Sequence, residues 1–177
     1  TKAVQLVGEL GEHPENYSSF EDGTYNWFPV SVFDKKNKTE FDTFKNLEKE
    51  PEFDERRYTR ISSWAKGTYI EEVLKVFKNQ VTRVHMRRMS SEGYLNYHMD
   101  YDTKYSIRFH IPLTTNPDCY FKFKRTLDGE EEKFHLPADG RCYFFNQGAY
   151  HSAFNEGNTD RDHLILAVNG QDDISFI

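Results

Sequence analysis

Hydrophobic and polar residues alternate along two segments of this chain, residues 81–89 and residues 105–113. Successive side chains of an extended strand point to opposite sides, so this alternation predicts two strands that each place an apolar face in a core. The apolar positions are Val84, Met86, Tyr105, Ile107, Phe109 and Ile111, and the polar positions between them are Arg83, His85, Arg87, Ser106, Arg108 and His110. The polar face of the second strand is a candidate wall of a functional pocket.

Helical spacing replaces the alternation in residues 67–79. The apolar residues of this segment are Ile70, Val73, Leu74 and Phe77. They are separated by the i, i+3, i+4 and i+7 intervals that place side chains on one stripe of a helix. Thr68, followed three residues later by Glu71, is typical of the capping box that begins a helix. We therefore predict a helix over residues 67–79 that packs its stripe on the outside of a sheet.

Short strands separated by turn sequences make up the rest of the pattern. They are predicted at residues 27–33, 119–127, 130–136, 141–146 and 163–168. Pro29 indicates that the first of these strands lies at a sheet edge, because proline has no N–H to donate to a neighbouring strand. Asp128 and Gly129 are typical of a tight primed turn between hairpin strands, and residues 136–140 form a second turn.

The order of these elements, one helix followed by many strands, predicts the fold class. We expect an α+β chain with a packed helix and a jelly-roll or cupin-like core of two sheets. A chain of 177 residues is long enough for one domain with a sizeable core. We therefore predict a single domain over residues 1–177, in which residues 1–80 flank a core of residues 81–170. Residues 1–24 are assigned to loops with short pieces of structure, and their role stays open.

The charge of the chain argues against one class of partner. The formal net charge is −6, so the chain as a whole repels polyanions and we expect no nucleic acid as partner or substrate. Two local basic clusters lie within residues 56–60 and residues 83–88. They are interpreted as solvated faces or salt-bridged strands. No oligomeric state is assigned.

The cysteines and the hydropathy pattern bear on the compartment. Cys119 and Cys142 do not have the spacing of metal-binding or redox pairs, and we interpret both as buried small hydrophobes in a reducing compartment. No apolar run is long enough to cross a bilayer, and no signal peptide precedes the polar start. We expect a cytoplasmic protein without membrane contact. Because the chain begins at Thr1, loss of an upstream segment stays open.

Three potential metal ligands and one cation carry the candidate chemistry. His98 and Asp100 are two residues apart, so on an extended segment both point to the same side and can reach one ion. His151 could join them from a neighbouring strand. Two imidazoles and one carboxylate are the ligand set of the facial triad that holds Fe(II) and leaves positions open for substrate and O₂. Arg161, ten residues further on, could hold the far carboxylate of a 2-oxoacid.

Each of these four residues also has an ordinary structural interpretation. His98 could end a strand, Asp100 could form a turn, and His151 could lie in a loop. Arg161 could be a surface cation after the polar loop that precedes it. Taken together, these interpretations leave unexplained why the arginine leads directly into an apolar strand that would draw it towards the interior.

Several motifs follow one another in a fixed order over residues 81–170. They comprise Met89, Gly93, His98, Asp100, residues 108–117 (RFHIPLTTNP), Gly140, Asn146, residues 151–153 (HSA), Asn155 and residues 160–164 (DRDHL). In this order they resemble the aspartyl/asparaginyl β-hydroxylase family, which includes cis-type proline hydroxylases. Some animal members lack the carboxylate ligand, whereas this chain has Asp100 and lacks their large N-terminal repeat region. Both differences favour a small-molecule or bacterial-type substrate.

The resemblance implies an Fe(II)- and 2-oxoglutarate-dependent dioxygenase on a double-stranded β-helix. By similarity, the metal ligands are His98, Asp100 and His151, and the residues that hold the cosubstrate are Arg108, His110 and Arg161. The implied reaction consumes O₂ and 2-oxoglutarate and releases succinate and CO₂. It hydroxylates an unactivated C–H bond of an amino acid or of an amino-acid side chain.

The substrate is the least constrained part of this hypothesis. Candidate contacts are residues that flank the proposed ligands, namely Arg83, His85, Tyr97 and Asn146. We expect a small-molecule or peptide substrate, and free amino acids and polypeptide side chains stay open as alternatives. The competing function is a cupin-like module that binds the metal or the oxoacid without turnover. The complete triad favours the enzyme.

Overall fold

The structure, a computed structural model, describes residues 18–19, 25–32 and 54–174. Of the predicted loops in residues 1–24, only the pair 18–19 falls within these ranges, and it forms a short strand. Phe33, the last residue of the first predicted strand, lies outside them.

The described ranges contain twelve β-strands, one α-helix and one 3-10 turn. The strands are β1 (Ser18–Ser19), β2 (Tyr25–Pro29), β3 (Ser31–Val32), β4 (Arg60–Ile61), β5 (Gln80–Met89), β6 (Tyr94–His98), β7 (Ile107–Thr114), β8 (Cys119–Lys124), β9 (Glu131–Phe134), β10 (Tyr143–Phe145), β11 (Tyr150–Asn155) and β12 (Arg161–Asn169). Helix α1 covers Tyr69–Leu74, and the 3-10 turn covers Glu55–Arg57.

Antiparallel pairing builds two main sheets that face each other. One sheet has six strands in the order β1-β2-β5-β12-β7-β10, and the other has four in the order β6-β11-β8-β9. Met89 of the first sheet and Phe121 and Ala153 of the second pack in one apolar cluster, so the sheets meet face to face. Strands β3 and β4 pair separately. This arrangement is a cupin-like β fold of the jelly-roll type.

The two faces of the six-stranded sheet bury different kinds of side chain. The outer face carries a large apolar cluster that includes Val84, Met86, Ile107, Phe109, Leu164, Leu166 and Val168. The inner face turns towards the four-stranded sheet and carries Arg87, Arg108, His110, Arg161 and Ile165. The alternation in residues 81–89 and 105–113 therefore separates an apolar core from a polar interior, as predicted. The polar faces are enclosed between two sheets rather than turned to bulk water.

Helix α1 begins where the capping pattern predicts, but it is shorter than predicted. The Thr68 hydroxyl accepts a hydrogen bond from the Ile70 N–H at 3.3 Å, and the Glu71 carboxylate accepts one from the Gly67 N–H at 2.6 Å. The helix ends at Leu74 rather than at residue 79. In the rest of the predicted helix, the N–H groups of residues 78 and 79 both donate to the Asp173 carboxylate instead of forming helical hydrogen bonds.

The described part of the chain is mostly β-strand, so the α+β prediction is not confirmed. Its one α-helix has six residues, of which Ile70 is buried in the outer apolar cluster. Phe77, which follows the helix, packs there too, with its ring centroid 5.5 Å from that of Phe109. None of the helices in the described ranges combines the length and the apolar character that a membrane crossing needs.

The predicted hairpin turn at Asp128 and Gly129 is wrong in detail. The register pairs Lys124 with Glu131, so the loop spans residues 125–130 instead of two residues. The Gly129 N–H donates to the Thr126 carbonyl at 3.0 Å, and this glycine does not have the positive φ that a primed turn requires. The second predicted turn does use this conformation, because Gly140 has φ +86°.

Two further expectations need correction. Strand β2 lies between β1 and β5, so Pro29 is not in an edge strand. Proline is tolerated because the described register of β1 reaches only Asn26 and Trp27. Both cysteines are free, and Cys119 is buried as expected, but Cys142 is exposed because it directly follows an exposed turn.

The basic residues of strand β5 do not form a solvated face. Arg88 forms an ion pair with Asp162 at 2.8 Å, and Arg83 is buried with the Glu55 carboxylate 3.9 Å away. The salt-bridged interpretation therefore holds for these two. Arg87 instead turns into the space between the sheets.

A buried amide ties three segments of the core together. Asn155 is fully buried, and its Nδ2 donates to the backbone carbonyls of Met89, Ser90 and Thr159 at 2.8–3.2 Å. Its Oδ1 accepts a hydrogen bond from Asn116 Nδ2 at 3.0 Å. The side chain thus fixes the end of β11 against the turn that follows β5.

We predict that Asn155→Ala lowers the free energy of unfolding by about 2–4 kcal/mol, because it leaves buried carbonyl groups without donors. Urea denaturation measures this change. The exposed Asn158 provides the control, and its replacement by alanine should change stability by less than about 0.5 kcal/mol. Equal effects of the two substitutions would contradict the assigned role of Asn155.

Candidate functional site

The pairing of β6 with β11 brings the two predicted histidine ligands together. His98 lies opposite His151 in the antiparallel register, and their ring centroids are 4.2 Å apart. Asp100 lies two residues after the end of β6, and its N–H donates to the Gln147 backbone carbonyl at 2.9 Å. One potential ligand atom from each of the three residues lies within 4.8 Å of the others. The three side chains therefore form a group that could hold one metal ion.

Hydrogen bonds to the backbone set the orientation of both imidazoles. His98 Nδ1 is 2.7 Å from the Asn96 carbonyl oxygen, and His151 Nδ1 is 2.9 Å from the Ala149 carbonyl oxygen. A carbonyl oxygen can only accept, so each Nδ1 carries the proton and donates it. In the neutral ring, Nε2 then keeps a free lone pair. This is the tautomer and the outer hydrogen bond that metal-binding histidines use.

The two oxygens of Asp100 have different partners. Oδ2 accepts a hydrogen bond from Arg108 Nη1 at 2.5 Å, whereas Oδ1 lies 3.9 Å from His98 Nε2. Burial on its own raises the pKa of Asp100, but the positive charge of Arg108 lowers it, and the net pKa is below that of an ordinary aspartate. The carboxylate is therefore ionised at neutral pH and has one oxygen available for a cation.

His151 is strongly biased towards its neutral form. Burial lowers its pKa from 6.5 to about 4, and the hydrogen bond to the backbone carbonyl offsets only part of this effect. A neutral imidazole is the form that can donate a lone pair to a metal ion. At neutral pH, His151 therefore needs no deprotonation before it binds a cation.

The three side chains lie in the wall of one cleft between the two sheets. Its lining consists of Arg87, Leu95, His98, Asp100, Arg108, His110, Phe121, Phe145, His151, Arg161 and Ile165. The cleft contains about 340 Å³ of empty space, part of which is open to solvent.

Arg161 is the most unusual residue of the cleft. Its side chain is 1% exposed, and its guanidinium carbon lies 5.0 Å from the centroid of the Phe121 ring. Its Nε and Nη1 are buried without a hydrogen-bond partner among the described residues. A buried cation without a counter-charge is costly, so this arrangement favours an anionic ligand in the cleft.

A pair of neutral histidines lies beside this arginine. The Nδ1 atoms of His110 and His163 are 3.2 Å apart, so one ring donates to the other. Burial lowers the pKa of both well below the usual histidine value, and the charge of Arg161 lowers them further. His110 also stacks on Phe145 with 4.5 Å between the ring centroids. The pair therefore shapes the cleft without adding positive charge.

The structure brings together all six residues predicted for the metal and the cosubstrate. His98, Asp100, His151, Arg108, His110 and Arg161 all line the cleft. In this structure Arg108 contacts Asp100 directly, a contact that the sequence did not indicate.

None of the four suggested substrate residues lines the cleft. They are Arg83, His85, Tyr97 and Asn146. Tyr97 is adjacent to His98 on a strand, so it points to the opposite side, where its hydroxyl donates to Glu131 at 2.5 Å. Asn146 is exposed, and its side chain accepts from the Gly148 N–H. Arg83 and His85 share a face of β5 with Arg87, but they lie nearer the beginning of the strand.

Sequence reasoning missed several residues of the cleft. Arg87 belongs to a basic cluster interpreted as a solvated face or a salt-bridged strand, and the apolar walls Phe121, Phe145 and Ile165 were not assigned to a site. Sequence alternation contains some of this information, because Arg87 shares the polar face of its strand. Glu55, which contacts Arg108 from a 3-10 turn, carries no recognisable signal because it lies in a run of mixed charges.

The sequence profile of the aspartyl/asparaginyl β-hydroxylase family matches residues 15–170. The chain belongs to this family. The match confirms the resemblance carried by the motifs of residues 81–170. No curated protein matches the sequence.

Solved structures give an independent comparison of the fold. An oxidoreductase of the 2OG-Fe(II) oxygenase family from Burkholderia pseudomallei is 15% identical with a TM-score of 0.53, and the alignment covers 94% of this chain and 77% of that chain. A cupin domain from Bordetella pertussis is 18% identical with a TM-score of 0.39, and the alignment covers 53% of this chain and 88% of that chain. The first similarity shows a shared fold.

We predict that the metal-free protein loses stability as the pH falls from about 6.5 to about 4. In this window the unfolded chain binds a proton at residue 151 that the folded state does not, so the free energy of unfolding rises with pH. His151 alone accounts for about 3 kcal/mol, and His151→Gln should flatten the slope. Thermal unfolding of the metal-free protein across this pH range measures the slope. Equal slopes in the wild-type protein and in His151→Gln would contradict the prediction.

Proposed function

We propose that the protein is an Fe(II)- and 2-oxoglutarate-dependent dioxygenase. It hydroxylates an unactivated C–H bond of an amino acid or of an amino-acid side chain and releases succinate and CO₂. One observation carries the proposal: the His98, Asp100 and His151 group shares a cleft with the buried guanidinium of Arg161, whose Nε and Nη1 have no hydrogen-bond partner among the described residues. Membership of a hydroxylase family supports the same reaction class.

His98, Asp100 and His151 would hold the iron. Two neutral imidazole nitrogens and one carboxylate oxygen match the ligand set of non-haem Fe(II) sites with open positions. Bound there, Fe(II) would supply the redox chemistry that couples O₂ and 2-oxoglutarate to C–H oxidation. The chain's own contribution is orientation, because backbone carbonyls fix both imidazoles and Arg108 fixes one oxygen of Asp100.

Arg161 would hold the cosubstrate at its far end. 2-Oxoglutarate carries one carboxylate beside its keto group and a second at the other end of the molecule. A guanidinium that is already buried can form a bidentate pair with that second carboxylate. Phe121 limits the positions of the guanidinium by lying 5.0 Å from it. The pair would remove the cost of an isolated buried charge.

The apolar walls would keep water from the reacting groups. Leu95, Phe121, Phe145 and Ile165 lie between the polar residues of the cleft. Such walls strengthen charge interactions within the site.

We predict that anaerobic addition of Fe(II) and 2-oxoglutarate produces a weak visible charge-transfer band. His98→Ala should abolish the band because it removes a ligand, whereas His135→Ala should retain it because that ring is outside the cleft. In air, succinate release should rise when the correct member of a panel of free amino acids and peptides is present. Absence of the band at saturating concentrations would contradict the proposal, and iron binding without any succinate would indicate a non-catalytic binding module.

We predict that Arg161→Met weakens 2-oxoglutarate binding without destabilising the protein. The dissociation constant should rise at least about 30-fold, because removal of one partner of a buried charge pair costs about 2 kcal/mol or more. Stability of the ligand-free protein should stay equal or rise by up to about 4 kcal/mol, since an apolar side chain replaces an uncompensated charge. Titration calorimetry with Mn(II) in place of iron, together with urea unfolding, measures both quantities.

Arg88→Met is the matched control for this substitution. Arg88 lies on the neighbouring strand and has a carboxylate partner, Asp162, at 2.8 Å. Its removal should lower stability and leave the affinity for 2-oxoglutarate unchanged. The same loss of stability in both variants, with equal affinities, would contradict the role of Arg161.

A further inference from the structure

Glu55 is completely buried, although it lies in a short 3-10 turn outside the predicted core of residues 81–170. Its Oε2 accepts a hydrogen bond from Arg108 Nη2 at 3.1 Å and lies 3.9 Å from Arg83 Nη1. Its Oε1 accepts a hydrogen bond from the Ser106 hydroxyl. Every one of these partners is a donor, so the surroundings suit an ionised carboxylate. A negative charge is thus held close to the metal-binding group.

Arg108 connects Glu55 to Asp100. Its Nη2 binds Glu55, while its Nη1 binds Oδ2 of Asp100 at 2.5 Å. The guanidinium is planar and rigid, so a carboxylate that fixes one of its nitrogens also fixes the direction of the other. Asp100 is thereby held with its second oxygen, Oδ1, on the side of His98.

A second chain of hydrogen bonds runs from Glu55 to the backbone of Asp100. Ser106, which donates to Glu55, accepts from Gln147 Nε2 at 3.2 Å through its hydroxyl and at 3.1 Å through its carbonyl. The backbone carbonyl of the fully buried Gln147 accepts a hydrogen bond from the Asp100 N–H at 2.9 Å. Glu55 is therefore linked to the side chain of Asp100 through Arg108, and to its main chain through Ser106 and Gln147.

We propose that Glu55 is a positioning residue of the metal centre, which acts on Asp100 through Arg108 and through the Ser106–Gln147 contact. The inference rests on the proposed function, because it assigns Glu55 a role at the iron site. Loss of Glu55 would weaken metal binding both through the geometry of Asp100 and through the charge of Arg108. Without Glu55, the guanidinium is free to reorient together with Asp100, and its positive charge is balanced only by the carboxylate that must also bind the incoming cation.

The test is Co(II) binding to the full chain, followed by visible absorption, with the wild-type protein and Glu55→Gln. The substitution keeps the size of the side chain and removes its charge. We expect Co(II) to bind about 10- to 100-fold more weakly, the range typical of losing an outer partner of a metal ligand. We also expect the cobalt absorption bands to shift, because the orientation of Asp100 changes. A purely structural role would lower thermal stability without changing the spectrum.

Two further variants separate positioning from general damage. Asp54→Asn changes the carboxylate that caps the same 3-10 turn but contacts neither Arg108 nor Ser106, so it should retain wild-type affinity and spectrum. In an Arg108→Met background, Glu55→Gln should cause a smaller further loss of affinity than in the wild-type protein, because the route through Arg108 is already removed and only the Ser106–Gln147 contact remains. If Glu55→Gln does not fold, Ser106→Ala removes one anchor of Glu55 and should weaken Co(II) binding by a smaller factor.

The outcomes distinguish this inference from the proposed function. Failure of the wild-type protein to bind Co(II) would overturn the metal centre itself. Wild-type binding combined with a Glu55→Gln affinity within twofold of wild type, and an unchanged spectrum, would overturn only the role of Glu55. The same holds if Ser106→Ala, used in its place, leaves both quantities unchanged.

Discussion

Burial of positive charge between the two sheets is the constraint on which the rest of the structure depends. Arg83, Arg108 and Arg161 are all buried, and such charges are unfavourable in a protein interior unless they are compensated. Glu55 and Asp100 compensate Arg108, and Glu55 also lies close to Arg83. Arg161 keeps its charge without a carboxylate partner in the described part of the chain. The fold therefore buries one cation, Arg161, for which the described residues supply no anionic partner.

The six-stranded sheet makes this arrangement tolerable. Its outer face provides a continuous apolar cluster that stabilises the fold, while the inner face is free to carry arginine and histidine. The four-stranded sheet covers that inner face and contributes both histidines of the candidate metal group from adjacent strands. Stability and function are thus assigned to opposite faces of the same strands. The period of two along a strand is what permits this separation.

The sequence predicts those parts of the fold that depend on local pattern. Alternation identified β5 and β7 together with the faces of their side chains, and the spacing of His98 and Asp100 indicated that both can reach one ion. The strands that hold the histidines, β6 and β11, were not predicted, because Tyr94–His98 is largely exposed and Tyr150–Asn155 is buried on both faces. Neither pattern alternates. The predicted primed turn was wrong for a different reason: Gly129 does not adopt the positive φ that the Asp128–Gly129 dipeptide suggested.

Long-range contacts account for the remaining differences. Glu55 reaches Arg108 across 53 residues of chain, and nothing in its local sequence distinguishes it from the other acidic residues around it. Arg87 and Arg88 are neighbours in sequence, yet one lines the cleft and the other pairs with Asp162. Alternation places these two side chains on opposite faces of the strand. Which residues each of them meets depends on the register between distant strands, and composition and periodicity do not give that register. The resemblance to a family identified the site residues, whereas the contacts between them required the structure.

A crystal structure grown without oxygen, with Fe(II) and 2-oxoglutarate bound, tests the central claim most directly. The account predicts one ion in contact with Nε2 of His98, Nε2 of His151 and Oδ1 of Asp100, and a carboxylate within about 3 Å of the Arg161 guanidinium. An ion bound elsewhere, or a guanidinium that still lacks an anionic partner when the cosubstrate is bound, would contradict it.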